Sequence, residues 1–342
     1  MLNEKQKIAV FMEGNIDSDY GKMGYGVMRY ARNPVVCVID SANAGKRVCD
    51  ACDLPFEYPV AAGMREAANM GAEAVVIGIA PSGGRVAPEW EEAFAECARL
   101  GMSLVNGLHD PLSERLKHLL QPGRWIWDVR QPAFTPPIAA ARAAALPNKR
   151  ALLVGTDMAI GKMTAGLEIH RWLRAQGKDA VFLATGQVGI TITGRGIPLD
   201  AFKLDHACGA VEKMVLEAGG HDIAIIEGQG SLLHPGSSAT LSLMRGSCAT
   251  HLIMCHRARM TRLRAPNSVA IPPLADFIRL NEEVAAACGS LTRAAVVGVA
   301  LNTAALNEDE ARAEIKKTED ETGLPAEDVV RFGAGKLGKL LA

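Results

Sequence analysis

Apolar residues occur in this chain as short, nearly continuous runs, set apart by longer stretches in which they recur at helical spacing. The runs cover residues 8–12, 35–39, 74–79 and 103–106, then 151–154, 180–184, 223–226, 251–255 and 294–301. Valine, isoleucine and leucine dominate them, and Gly, Asp or Asn follows most of them closely, as expected of strands buried on both faces. Between them, residues 22–32, 63–71, 88–100, 163–176 and 308–322 read as helices. Strands alternating with helices predict an α/β fold with parallel sheets covered on both faces. In such sheets ligands gather beyond the carboxyl ends of the strands, so the loops after strands carry most weight as site candidates.

The pattern lapses between 131 and 149, where Pro132, Pro136 and Pro137 break structure, alanines fill 139–145, and Pro147 precedes the next strand. A boundary there gives two domains, 1–147 and 148–342, which suits a length of 342 residues better than a single core.

The strongest motif opens the second domain: Ala151-Leu-Leu-Val-Gly-Thr-Asp-Met-Ala-Ile-Gly-Lys-Met-Thr164. A strand runs into a glycine, a short loop, a Gly-Lys pair and an amphipathic helix, which aims backbone N–H groups and a helix N-terminus at an anion. Two features depart from the Walker pattern. Five residues separate Gly155 from Gly161 where four are usual, and Met163 stands where a Ser or Thr normally follows the lysine. That hydroxyl ordinarily ligates Mg²⁺, and a thioether is a poor ligand for a hard cation. Thr164 lies about 100° further round the helix, outside the usual metal position. Phosphate binding by Gly155, Thr156, Asp157, Gly161, Lys162, Met163 and Thr164 is therefore expected, without a metal.

Three further loops offer chemistry. Thr185, Gly186 and Gln187 place small residues and an amide after a strand, where a ligand can approach the backbone; turn formation explains them equally well. Glu227-Gly-Gln-Gly-Ser231, with His234-Pro235 beyond, supplies a carboxylate at a strand end beside the phosphate loop of any doubly wound sheet. Glu227 and His234 are candidate proton acceptors, and Gln229 is a candidate oxyanion donor. Asn302 could hydrogen-bond a purine edge or simply form a turn. Asp200, Lys203, Asp205 and His206 form a polar cluster ahead of a helix, with Asp205 a candidate N-cap. In the first domain Asp40 follows a strand, as a ribose-binding acid would, yet Gly14-Asn-Ile-Asp-Ser-Asp is not GxGxxG, so a nicotinamide reading is weak. Lys22, Arg29 and Arg85 are candidate carboxylate-binding cations, each also explicable as a solvated surface charge.

Bulk composition narrows the classes further. A formal net charge of −1 gives no general attraction to nucleic acid or anionic membrane, so anion recognition must be local. The N-terminus lacks an apolar signal core, and no run approaches the ~20 apolar residues of a membrane span, so a cytoplasmic location is expected. Eight scattered cysteines read as reduced residues, and Cys49/Cys52 lack the second pair of a zinc site.

Gly-Thr-Asp-x-x-x-Gly-Lys, with Glu227-Gly-Gln-Gly and Asn302, resembles the dethiobiotin synthetase and cobyric acid synthase group of P-loop proteins, which activate carboxylates with Mg-ATP. The whole chain more closely resembles a family long labelled a domain of unknown function. The segments that carry this likeness are 38–46, 78–85, 106–110, 155–164, 184–189 and 227–235. The resemblance implies an N-terminal Rossmann-like parallel sheet and a C-terminal P-loop NTPase-like doubly wound sheet. Some members are D-glutamate N-acetyltransferases of the DgcN type that use acetyl-CoA. This implies acetyl-CoA as co-substrate, its phosphates on residues 155–164. D-glutamate, the small-molecule acceptor, would be held by Arg29, Arg85 or Lys22 in a cleft facing the first domain. A homo-oligomer is expected, as for many soluble enzymes. A Mg-ATP-dependent kinase or ligase and a non-catalytic nucleotide or CoA sensor remain the alternatives, ahead of a nicotinamide enzyme.

Overall fold

The computed structural model describes residues 2–81 and 83–342. Ser82, inside the resembling segment 78–85, lies outside the described residues. The chain divides into two compact units, each built on a six-stranded, all-parallel sheet.

The first unit runs through β1 (Ile8–Phe11), α1 (Lys22–Tyr30), β2 (Val35–Ile39), α2 (Val48–Ala51), β3 (Val60–Ala61) and α3 (Met64–Asn69). It continues with β4 (Ala74–Ile77), α4 (Pro88–Arg99), β5 (Ser103–Asn106), α5 (Ser113–Leu116) and β6 (Ile126–Asp128). Strand order is β3-β2-β1-β4-β5-β6, which reverses direction between β1 and β4 as in dinucleotide-binding sheets. β1 and β4 are buried at every position, which is why their sequences run apolar without alternation. Phe11 meets the edge of Phe94 at 5.1 Å between ring centres. α1 lies directly on the sheet: the Gly24 N–H donates to the Gly78 carbonyl at 2.7 Å. A Cβ on Gly78 would stand 2.6 Å from Val10 Cγ1 and 2.9 Å from Gly24 Cα, so only glycine permits this approach.

The second sheet begins with β7 (Lys149–Gly155), α6 (Lys162–Ala175), β8 (Ala180–Leu183), α7 (Gln187–Thr193), α8 (Leu204–Glu217) and β9 (Ile223–Ile226). α9 (Ala239–Ser247), β10 (His251–Arg257), α10 (Leu274–Ala286), β11 (Ala295–Asn302), α11 (Glu308–Thr322), β12 (Ala326–Glu327) and α12 (Gly335–Gly338) complete the chain. The order β12-β11-β10-β7-β9-β8 puts β7 between β10 and β9. α8 packs on α9, α9 on α10 and α10 on α11, while α6 packs on α12. Right-handed crossovers accordingly set α8 to α11 on one face and α6 with α12 on the other.

Two features depart from a simple division at residue 148. Residues 187–198, which include α7, belong to the first unit, where α7 packs against α1. The first unit otherwise ends at Pro132, and the proline-rich stretch beyond it belongs to the second. Glu212 on α8 explains the latter. Its fully buried carboxylate accepts from the Ala140 N–H at 3.1 Å, the Arg142 N–H at 2.7 Å, and Arg142 Nε at 2.8 Å and Nη2 at 2.6 Å. Burial pushes this carboxyl up, but those donors outweigh it and hold it below the usual carboxylate range. Gly209 keeps the surfaces together, since a Cβ there would strike the Pro137 carbonyl oxygen at 1.6 Å. All eight cysteines are free, with Cys49 exposed and Cys52 half-buried. Among the described residues no helix is long and apolar enough to cross a membrane.

Candidate active site

β7 delivers the phosphate loop to the carboxyl edge of the second sheet. Thr156 is buried; its N–H donates to the Cys255 carbonyl at 3.2 Å, and its hydroxyl lies 2.9 Å from His256 Nδ1. Asp157 is buried too, one carboxylate oxygen accepting from the Met158 N–H at 2.7 Å and the other from the Arg264 N–H at 2.9 Å. Ala159 and Gly161 take left-handed conformations, φ 52° and 111°, as in backbone nests that bind anions. Asn302, at the end of β11, donates from Nδ2 to the Ile160 carbonyl at 3.2 Å and accepts from the Ala304 N–H at 3.1 Å. The N–H groups from Ala159 to Thr164 donate to no acceptor among the described residues, and no side chain caps α6. Unpartnered amides at the start of a helix form a ready anion cradle.

Lys162 starts α6 and is buried, its Nζ folded back on the Asp157 carbonyl at 2.7 Å. Burial lowers its pKa, while Cys255, Asp157 and Glu227 pull it back up. An anion in the cradle would stabilise its charged form further. Met163 and Thr164 follow, both half-buried.

Glu227 stands just past β9 with its side chain buried. It accepts from the Thr185 N–H at 2.8 Å and the Gly186 N–H at 3.2 Å, while Thr185 Oγ1 donates to its main-chain carbonyl at 3.0 Å. Burial pushes its carboxyl up to about 7, against those two amides and Lys162. A carboxyl that titrates near neutrality beside a lysine suits proton transfer at physiological pH. Gly228 makes the approach possible: a Cβ would stand 1.7 Å from the Leu153 carbonyl oxygen and 2.9 Å from Lys162 Cδ. The amides of Gly228, Gln229 and Gly230 have no acceptor among the described residues and are available to an oxyanion.

Gln229 uses Nε2 to hold the Thr185 carbonyl. His234 has both ring nitrogens engaged: Nδ1 accepts from the Gly236 N–H at 3.1 Å, which leaves Nε2 to donate to the Ala265 carbonyl at 2.7 Å. It therefore fastens loop to loop. Gln187 belongs to the first unit, beside Gly107, and not with Thr185 and Gly186. The N-cap of α8 is Lys203, with Asp205 in the first turn, where a carboxylate favours the helix dipole.

Of the cations, Lys22 pairs with Asp19 at 3.2 Å, Arg85 with Asp110 at 3.5 Å, and Arg29 lies over the Tyr30 ring at 5.7 Å. No hydrogen bond, ion pair or ring contact links the three to one another. Asp40 turns its carboxylate to the Ala42 N–H and Asn43 Nδ2, at 3.2 and 3.1 Å, as the cap of a short 3-10 turn.

Residues 137–338 match a family described as a domain of unknown function, DUF1611_C, P-loop domain, and residues 41–132 match its N-terminal partner, the DUF1611_N Rossmann-like domain. The chain belongs to the DUF1611 family. It is 45% identical to a DUF1611 family protein of Anabaena variabilis, whose crystal structure superposes with a TM-score of 0.95 over 98% of this chain and 99% of that one. A D-glutamate N-acetyltransferase of Tritonibacter scottomollicae is 36% identical over 82% of this chain and 84% of its own length. A second protein of that name, from a Pseudoalteromonas species, is 34% identical over 80% of this chain and 82% of its own.

In this DUF1611 chain the end of β10 and the loop after it carry further charge beside the phosphate loop. His256 and Arg257 close the strand, Arg259, Arg262 and Arg264 follow in the loop, and Thr156 and Asp157 tie the two segments together. The signal was present in the sequence: a histidine and four arginines follow the apolar run 251–255.

Proposed function

We propose that this protein is an N-acetyltransferase that moves the acetyl group of acetyl-CoA to the amino group of D-glutamate. The observation that carries the reading is Glu227, a buried carboxyl raised to about 7 beside Lys162 and an anion cradle. The two relatives named D-glutamate N-acetyltransferase support N-acetyl transfer to D-glutamate. Coenzyme A presents a pyrophosphate, which suits the amides of Ala159 to Thr164 and Lys162, and it needs no metal hydroxyl at Met163.

In this reading Glu227 accepts a proton from the acceptor's ammonium group. The freed amine attacks the thioester carbon, so a C–N bond forms while the amides of Gly228 to Gly230 hold the oxyanion. The C–S bond then breaks, one of the two protons left on the nitrogen passes to the departing thiolate, the other stays as the amide N–H, and Glu227 gives up its proton to solvent. Lys22, Arg29 and Arg85 are the proposed partners of the acceptor's carboxylates. The test is release of free thiol when the purified protein receives acetyl-CoA and D-glutamate. If none is released, but a carboxylic substrate drives magnesium-dependent ATP consumption that Met163→Thr increases, the proposal falls to the kinase or ligase alternative.

A further inference from the structure

A cavity of about 340 Å³ opens beside the ends of β10 and β11, between the loop after β10 and the helices α10 and α11. Its size lies at the small end of ligand pockets. Met260, Ile271, Pro272 and Leu301 form the apolar part of its wall, and Thr261, Thr318 and several charged side chains form the rest. Its charged residues largely answer one another or the backbone. Arg259 pairs with Glu310 at 2.9 Å and Glu314 at 3.1 Å, and Glu321 accepts from the Leu274 N–H at 2.9 Å. Lys317 in turn lies 3.9 Å from Glu314, so the charges are mutually compensated and the mixed lining suits a group without net charge.

His256 supplies the polar edge. Its Nδ1 is bonded to Thr156 Oγ1 of the phosphate loop at 2.9 Å, and its Nε2 has no partner among the described residues. Burial lowers its pKa, so the ring is neutral near pH 7 and Nε2 can donate to or accept from a ligand according to tautomer. Asn302, next to Leu301, already uses its amide on Ile160 and Ala304. A flat heterocycle with apolar faces and a hydrogen-bonding edge fits this lining.

We infer that this cavity seats the purine ring of the ligand whose diphosphate rests on Gly155–Thr164, with His256 reading the ring's edge. The inference rests on the phosphate reading of that loop and identifies where the rest of the nucleotide goes. Both coenzyme A and an adenine nucleotide carry this chemistry.

Calorimetric titration of the full chain tests it with two ligand pairs: coenzyme A against 4′-phosphopantetheine, and ADP against pyrophosphate. In each pair only the first member has the purine. The wild-type chain is expected to prefer the purine-bearing member by about 30-fold or more, roughly two hydrogen bonds' worth of affinity. Ile271→Trp, which fills the cavity, should bring that preference to within about threefold and leave the purine-free ligand unchanged; His256→Asn should reduce it by about tenfold. Thermal midpoints confirm that both variants fold, and His256→Asn alone suffices if the tryptophan is not tolerated. A preference that survives both substitutions overturns the cavity assignment while the phosphate site stands. If none of the four ligands binds the wild-type chain, the phosphate reading falls and the inference with it. A preference lost for ADP but not for coenzyme A supports a purine seat and assigns it to a nucleotide.

Discussion

The two sheets are built alike, yet their carboxyl edges behave oppositely. After β1, polar groups turn on their own backbone: Glu13 accepts from the Ser41 N–H, Asp40 caps residues 42 and 43, and the Tyr25 hydroxyl donates to main-chain oxygens of the loop. The first turn of α1 gives its Gly24 amide to the Gly78 carbonyl. After β7, the amides of Ala159 to Thr164 have no partner among the described residues, a lysine is buried, and burial raises a carboxyl to about 7. Strand order alone does not make a site. Open amides at a helix start, and a buried lysine beside a raised carboxyl, distinguish the second edge from the first, where the buried Asp40 and Asp128 are spent on their own loops.

Glu227→Gln should break this contrast most sharply. Loss of the proposed base is expected to lower kcat by about 10²–10⁴-fold, and wild-type kcat/KM should rise with pH through about 7 as Glu227 loses its proton. Stability should move the other way. The folded pKa lies above the ordinary carboxylate value, so Glu227's contribution is complete below about pH 4.3 and is lost as pH rises through about 7. Glutamine escapes that loss, so the variant should be more stable than wild type at pH 8, by up to roughly 3 kcal/mol, and little changed at pH 4. A denaturant series at both pH values reads this; a variant equally stable or weaker at pH 8 would contradict it.

Next comes a matched pair of glycines. Gly228→Ala and Gly78→Ala each push a Cβ into backbone or a packed side chain and should each cost about 2–3 kcal/mol. Only Gly228→Ala should also depress kcat of the folded fraction; equal kinetic damage from both would erase the distinction between the two edges. Glu212→Gln should then destabilise the chain by about 2–3 kcal/mol at pH 7, reduced by the solvent around half-exposed Arg142, with kcat unchanged. Glu212's folded pKa is lowered, so its contribution is present above the unfolded value and disappears as pH falls through the folded one. Acid titration of wild type and variant should therefore converge at low pH. The smallest effects are expected from Lys22→Ala, Arg29→Ala and Arg85→Ala. Under the proposed acetyl transfer, a substitution that removes a carboxylate partner should raise KM for D-glutamate by about tenfold at most, leaving KM for acetyl-CoA unchanged.

Much of this was legible in the chain because both sheets are buried on two faces. Short, unbroken apolar runs such as 35–39 and 223–226 then mark strands directly. β3 and β12, two residues each, and β6, three residues, are too short to leave a period. The phosphate loop was visible because its glycines and lysine are contiguous. Glu212 was not, because its partners Ala140 and Arg142 lie about 70 positions away and nothing local marks a buried carboxylate. His234 shows the converse: its position beside a glycine-rich turn suggested chemistry, whereas both its nitrogens hold loops in place. His256 lay beyond the expected strand end, because β10 extends two residues further, to Arg257, than its apolar run.

The excursion of residues 187–198 bears on how this protein is made. Ribosomal synthesis releases the first unit's sheet well before α7, whose Gly189, Ile190 and Thr191 are buried in the finished unit. β7, α6 and β8 must all emerge first, so α1 waits for its helical partner while part of the second sheet is already being formed. A gene fragment ending at Pro132 would encode a unit missing one of its own helices, and one beginning at Ala133 would carry a helix that belongs elsewhere.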